Sequence, residues 1–215
     1  MATRNWAMQP LDVMNAGKVV PVLVFKKLEH AVPVAEALME GGVNVLEITL
    51  RTECAVDAIE LISQKLPEAI TGAGTVINAQ QLQAVENAGA KFAISPGLTP
   101  SLLEAANKSK TALIPGIATI SELMVGIEHG YDCFKFFPAE ANGGVNALKS
   151  IGGPFPDIRF CPTGGINLDN INNYLSLSSV VCCGGSWLVS DDIIKNKEWS
   201  KITELVKEAL AAVNG

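Results

Sequence analysis

Eight short apolar or β-branched runs recur along the chain at nearly even intervals, and this spacing constrains the fold more than any other feature. They cover residues 19–25, 45–50, 70–76, 92–96, 112–117, 133–138, 159–163 and 180–183, with starts 26, 25, 22, 20, 21, 26 and 21 residues apart. Each step holds one strand, one helix and two turns. Several runs are continuously apolar, as strands of a parallel sheet covered on both faces must be. Helical periodicity fills the gaps. A helix over 34–39 and its flanks stops at Gly41-Gly42, with Pro33 in its first turn, where a missing N–H is tolerated. Others are expected over 54–66, over 79–88 behind the cap Asn78, from Thr99-Pro100 onward, and over 121–129, 167–177 and 199–213. Residues before Val19 should form a short extra helix.

Eight βα units can close into a (β/α)₈ TIM barrel or open into a doubly wound sheet. The open sheet usually carries a glycine-rich turn after its first strand, but here that position reads Lys26-Lys27-Leu28-Glu29. The closed α/β barrel is therefore expected. With 215 residues the chain suits one domain, 1–215, with the extra helix over the barrel bottom.

Composition narrows the function. The net charge of −6 and the lack of any basic run oppose nucleic-acid binding. A small phosphorylated ligand stays possible, because backbone N–H groups can hold a phosphate without a basic surface. Five scattered cysteines, Cys54, Cys133, Cys161, Cys182 and Cys183, include no C-x-x-C pair, so free thiols are expected rather than disulfides or a zinc site. Two isolated histidines suggest no metal. No run has signal-peptide or membrane-spanning character, and a cytoplasmic setting is the expectation.

In barrels of this type the reactive groups gather at the C-terminal strand ends. On the second strand Glu47, Thr49 and Arg51 alternate with Leu46, Ile48 and Leu50, so they should share the inner face. A buried carboxylate and guanidinium mark either a reactive site or a Glu–Arg pair that fixes the barrel. The sixth strand sets Lys135 between phenylalanines. If Lys135 points inward so does Phe137, while Phe134 and Phe136 pack outward. Lysine is seldom buried without purpose, and a neutral lysine amine attacks carbonyl carbon; the alternative is a lysine whose head reaches the rim. Glycine-rich turns follow the seventh strand (Thr163-Gly164-Gly165) and the eighth (Gly184-Gly185-Ser186), the usual place for a phosphate. Thr75 and Pro96 close strands three and four. His30 and His129 are expected away from the site, Trp187 and Trp199 as packing residues, and Glu140 and Asn142 as the opening of a helix. An amine, a carboxylate, an arginine and a phosphate cradle together suit Schiff-base chemistry on a phosphorylated 2-keto acid.

The segments VLEITLRT (45–52), GAGTV (72–76), AISPGLT (93–99), FKFFPAEANGGV (134–145), RFCPTGGI (159–166) and GGSWLV (184–189) resemble the 2-keto-3-deoxy-6-phosphogluconate (KDPG) and 4-hydroxy-2-oxoglutarate (KHG) aldolases. The resemblance implies a class I aldolase of the Entner–Doudoroff pathway, needing no metal or other cofactor, which releases pyruvate and glyceraldehyde 3-phosphate. It implies Lys135 as the Schiff-base lysine and Glu47 as general acid/base. Arg51 and Thr75 would hold the keto-acid carboxylate with Thr163 beside them. Gly164, Gly165, Gly184, Gly185 and Ser186 would hold the phosphate, and Pro96 and Phe137 join the substrate-binding set. A homotrimer is also implied, with no nucleic-acid or membrane partner. Alternatives are a phosphogalactonate aldolase, a phosphosugar isomerase or epimerase barrel, and a non-catalytic phosphate-binding barrel.

Overall fold

The computed structural model describes residues 4–214, so the outermost residues of the expected domain, 1–3 and 215, lie outside it. A short helix, α1 (Pro10–Asn15), precedes alternating strands and helices: β1 (Val19–Leu23), α2 (Ala31–Gly41), β2 (Val45–Thr49), α3 (Ala55–Lys65), β3 (Ile70–Gly74), α4 (Ala79–Asn87), β4 (Phe92–Ile94) and α5 (Pro100–Ala106). Then come β5 (Ala112–Ile114), β6 (Gly116–Ile117), α6 (Ile120–Glu128), β7 (Cys133–Phe136), α7 (Gly144–Gly152), β8 (Arg159–Pro162), α8 (Ile171–Leu175), β9 (Cys183–Gly185), α9 (Asp191–Asn196) and α10 (Trp199–Asn214). A curled six-stranded parallel sheet has the order β5-β4-β3-β2-β1-β9, and a second parallel sheet the order β6-β7-β8. Two isolated parallel bridges, Phe160↔Val180 and Thr163↔Gly184, connect β8 and its extension to the β9 side.

Local chemistry explains the boundaries. Asn78 and Thr99 accept the N–H groups of Gln81 and Leu102, capping α4 and α5. Thr119 and Glu122 form a reciprocal capping box at α6, which therefore begins at Ile120. The expected fifth strand is split into β5 and β6 at Pro115, which has no N–H to give a ladder. The expected helix over 167–177 shortens to α8, because the Asn167 and Asn170 side chains accept backbone N–H groups of Asp169 and Asn167 in a preceding loop. The helix expected to open at Glu140 and Asn142 starts later, as α7 at Gly144, because those residues form a separate 3₁₀ turn; α9 was not expected. Glycines flank α7, whereas α9 is only one turn and a half behind the cap Ser190.

The strands separate two apolar layers. Leu46, Ile48, Phe134, Phe136 and Phe160 belong to the larger cluster, which contains most of the helix side chains. Val20, Val45, Phe92, Cys133, Cys161 and Cys182 form the smaller one with Val13 and Met14 of α1. Val20, Val45, Phe92 and Cys133 occupy the early part of their strands, Cys161 lies within β8, and Cys182 directly precedes β9. Two positions later on the same face stand Glu47, Lys135, Thr163 and Gly184. The apolar inner layer is thus the floor beneath a polar one. At the chain's end α10 packs on α2: Gly41 leaves no room for a Cβ against Val206, and the Thr203 hydroxyl donates to Ala37 O at 2.9 Å. Among the described residues, no helix is long and apolar enough to cross a membrane.

Candidate active site

Lys135 and Glu47 meet across the space between the two sheets. Lys135 Nζ lies 3.1 Å from Glu47 Oε1, and the two residues are 5% and 1% exposed. They come from β7 and β2, 88 positions apart in sequence. The other carboxylate oxygen, Glu47 Oε2, is buried without a hydrogen-bond partner among the described residues. An orphaned acceptor in so dry a place is costly unless a ligand or water meets it. Lys135 Nζ also sits 5.2 Å from the centre of the Phe137 ring, so one aromatic face flanks the amine. The backbone approaches both polar groups closely. A Cβ on Gly74 would collide with the Glu47 carboxylate, and one on Gly184 with the Thr163 hydroxyl.

The rest of the expected set divides. Thr163 is buried above Cys161, and Pro96 is half-buried at the end of β4. Thr75 follows β3 with φ of 62°, the left-handed region that a β-branched residue seldom occupies. Gly164 and Gly165 have φ of 104° and 80°. Their loop is bonded to the turn after β7, because the N–H groups of Ala139 and Glu140 donate to Thr163 O and Gly164 O at 2.8 and 3.1 Å. Gly184 and Gly185 close β9, and Ser186 is exposed just beyond. Arg51 differs from expectation. The strand ends at Thr49, the chain turns so that Arg51 N–H donates back to Thr49 O, and the guanidinium is exposed. Strand alternation no longer governs its direction, and the partner of Glu47 is Lys135 rather than Arg51. Thr49 spends its hydroxyl on Leu23 O at 2.9 Å, tying β2 to β1.

The sequence model of the KDPG and KHG aldolase family matches residues 11–205. The chain belongs to the KDPG and KHG aldolase family. The 2-dehydro-3-deoxy-phosphogluconate aldolase of Pseudoalteromonas atlantica is 61% identical, covering 99% of each chain. The KHG/KDPG aldolase of Escherichia coli is 59% identical over 96% of this chain and 97% of its own. A crystal structure of KDPG aldolase from Legionella pneumophila, with pyruvate captured at low pH as a covalent carbinolamine intermediate, superposes with a TM-score of 0.94 at 54% identity. It covers 95% of this chain and 100% of that one.

In this family member the buried thiols are shifted in both directions, the hydrogen bond with Cys182 pulling Cys161 below its ordinary range. Burial pushes Cys133 and Cys183 far up, and Cys182 is raised by its hydrogen bond to Cys161 and by burial. Among the described residues, no three His, Cys, Asp or Glu side chains gather as metal ligands. Two features escaped the sequence. His30 was expected away from the site, yet it closes the β1–α2 connection, as the last residue of the 3₁₀ turn Leu28–His30, and so stands on the C-terminal side of β1. It is buried with its ring 6.0 Å from that of Trp199. It also lines a cavity of about 460 Å³ with Lys26, Lys27 and Lys195. The signal was available, since whatever follows a strand directly sits at its C-terminal end. The second feature is a contact between Glu140 and Tyr174, for which no sequence pattern exists.

Proposed function

We propose that this chain is a class I aldolase that cleaves 2-dehydro-3-deoxy-6-phosphogluconate to pyruvate and D-glyceraldehyde 3-phosphate in the Entner–Doudoroff pathway. The observation that carries the reading is the buried pair of Lys135 and Glu47, with one carboxylate oxygen on the amine and the other open. The covalent pyruvate adduct of the Legionella relative is the state such a pair would form.

The steps follow from that geometry. Glu47 takes a proton from the Lys135 ammonium, and the amine so freed attacks the keto carbon at C2 to give a carbinolamine. Glu47 delivers a proton to the departing hydroxyl, water leaves, and the protonated imine remains. The C4 hydroxyl gives its proton to Glu47, directly or through a water. The C3–C4 bonding electrons flow into the imine, leaving an enamine and releasing the aldehyde. Protonation at C3 and hydrolysis release pyruvate and restore the amine. The iminium is itself the electron sink, so no step calls on a metal or organic cofactor. Arg51 and Thr75 hold the substrate carboxylate with Thr163 beside them, and Pro96 and Phe137 wall the keto acid. Gly164, Gly165, Gly184, Gly185 and Ser186 receive the phosphate.

The architecture behind this site is a single closed (β/α)₈ barrel with α1 over its bottom. Three facts support closure: both sheets are parallel throughout, the β8 and β9 segments are bridged, and Glu47 and Lys135 reach each other through the interior. The working enzyme is a cytoplasmic homotrimer. The decisive measurement compares kcat/KM for phosphogluconate-, phosphogalactonate- and hydroxyoxoglutarate-derived substrates. The first should be highest and the third measurable; a higher value for the phosphogalactonate substrate would move the assignment to that aldolase. Absence of any imine with pyruvate would favour an isomerase.

Thr75 offers a separate test. Its left-handed backbone costs a non-glycine residue about 1–2 kcal/mol, whereas glycine adds about 0.5–1 kcal/mol of chain entropy. Thr75→Gly should therefore be more stable by about 0.5–1 kcal/mol in denaturant unfolding. It should also lose about tenfold in kcat/KM, as a hydrogen bond to the substrate carboxylate disappears. A variant as active as the parent would remove Thr75 from the site.

A further inference from the structure

Behind the loop after β8, and outside the groups that do the chemistry, four segments converge on one side chain. Glu140 stands in a 3₁₀ turn, Glu140–Asn142, between β7 and α7. Its backbone N–H holds Gly164 O at 3.1 Å. Its methylene carbons occupy the space where a side chain on Gly165 would lie. Its carboxylate accepts a hydrogen bond from the Tyr174 hydroxyl of α8. That hydroxyl and the carboxylate both lie against Gly144, each 3.0 Å from where a Cβ would stand, at the start of α7. Tyr174 is fully buried, whereas Glu140 is exposed, so the tyrosine is the fixed end of the pair.

This arrangement decides which way the loop's N–H groups face. In a planar trans peptide the C=O of one residue and the N–H of the next point in opposite directions. The Gly164 carbonyl is drawn toward Glu140, so the Gly165 N–H points away from it. The Thr163 carbonyl is drawn to Ala139 N–H at 2.8 Å, so the Gly164 N–H points away from Ala139. The Gly165 carbonyl is held by Asn170 Nδ2 at 2.9 Å, so the N–H of Ile166 points away from Asn170. Carbonyls gripped from one side leave N–H groups free for an anion on the other. Among these grips, only the one on Gly164 depends on a residue whose side chain is itself tied down by a buried hydroxyl.

We infer that Glu140 and Tyr174 are positioning residues for the phosphate end of the substrate: Tyr174 fixes the Glu140 side chain, and Glu140 holds the Gly164-Gly165 loop in the conformation that presents its N–H groups. Neither touches the reacting carbons. Burial and the Glu140 carboxylate push the Tyr174 hydroxyl far above its ordinary range, which keeps it a donor at every working pH. The inference rests on the phosphate reading of the preceding section.

The experiment runs the aldol condensation of pyruvate with two aldehydes, D-glyceraldehyde 3-phosphate and D-glyceraldehyde, on the parent, Tyr174→Phe, Glu140→Ala and Glu140→Gln. The parent should prefer the phosphorylated aldehyde. Tyr174→Phe and Glu140→Ala should lose about tenfold in kcat/KM for it, mostly through KM, with the unphosphorylated aldehyde unchanged. Exchange of the pyruvate methyl protons with deuterium, followed by proton NMR, should also be unchanged, since imine and enamine form without any phosphate. Glu140→Gln should behave like the parent, because its amide oxygen accepts from Tyr174 and its stem still covers Gly165. Equal slowing with both aldehydes would make the pair ordinary scaffold and overturn the inference, as would unchanged KM in both disrupting variants. If Glu140→Gln behaves like Glu140→Ala, charge rather than placement matters and the inference fails. A parent without preference for the phosphorylated aldehyde would instead locate the failure in the phosphate site itself.

Discussion

Lys135→Ala protein treated with pyruvate and borohydride should keep its unmodified mass, while the parent gains one reduced pyruvate adduct per chain. Reduction turns the imine into a stable secondary amine, so the mass records whether the bond formed and peptide mapping records where. Aldol cleavage should fall by a factor on the order of 10⁴–10⁶, the scale on which removal of a covalent nucleophile is felt. The alanine also strands Glu47, which is 1% exposed and has no other partner among the described residues, and breaking such a buried pair costs about 3–5 kcal/mol. Circular dichroism and the thermal midpoint therefore accompany the measurement, so that a lost adduct is counted only in folded protein. Trapping that persists on another lysine would sink the assignment.

Glu47→Gln separates proton transfer from bond formation. The amide has the same shape, keeps an oxygen toward Lys135 and leaves the close passage of Gly74 undisturbed. It has no proton to lend or accept at working pH. kcat should drop by about 10²–10⁴-fold, the range usual for loss of a general acid/base. Trapping with pyruvate should slow yet reach completion, because the nucleophile is intact. The two variants thus differ in kind, one unable to form the adduct and the other slow to resolve it. A Glu47→Gln enzyme with parental kcat would require a different proton carrier.

Much of this site could be read from the sequence because strand periodicity assigns faces. Val45 and Glu47, Cys133 and Lys135, and Cys161 and Thr163 are two apart, and each pair places an apolar floor residue under a polar one. Period two fails where the strand stops. Arg51 was assigned to the face of Glu47 by counting past Thr49, but it lies two residues beyond the strand's end and is exposed, where alternation no longer fixes a direction. The 3.1 Å contact between Lys135 and Glu47 joins strands of different sheets 88 positions apart in sequence, and no local pattern contains it. Tyr174 was illegible for another reason. A tyrosine among apolar helix residues reads as core, which it is, and its contact with Glu140 depends on where one oxygen points. Helix α9 was hidden because it has only six residues.

The tight passage of Gly74 beside Glu47 and of Gly184 beside Thr163 has a consequence for anyone wishing to redirect the enzyme. At these two points main chain and polar side chain share one mould, and even a methyl group would displace the carboxylate or the hydroxyl. Libraries aimed at new aldehyde partners should leave that floor untouched and vary the rim, where Ser186 and Ile77 are already exposed. The carbon–carbon bond chemistry would then travel unchanged from one substrate to the next.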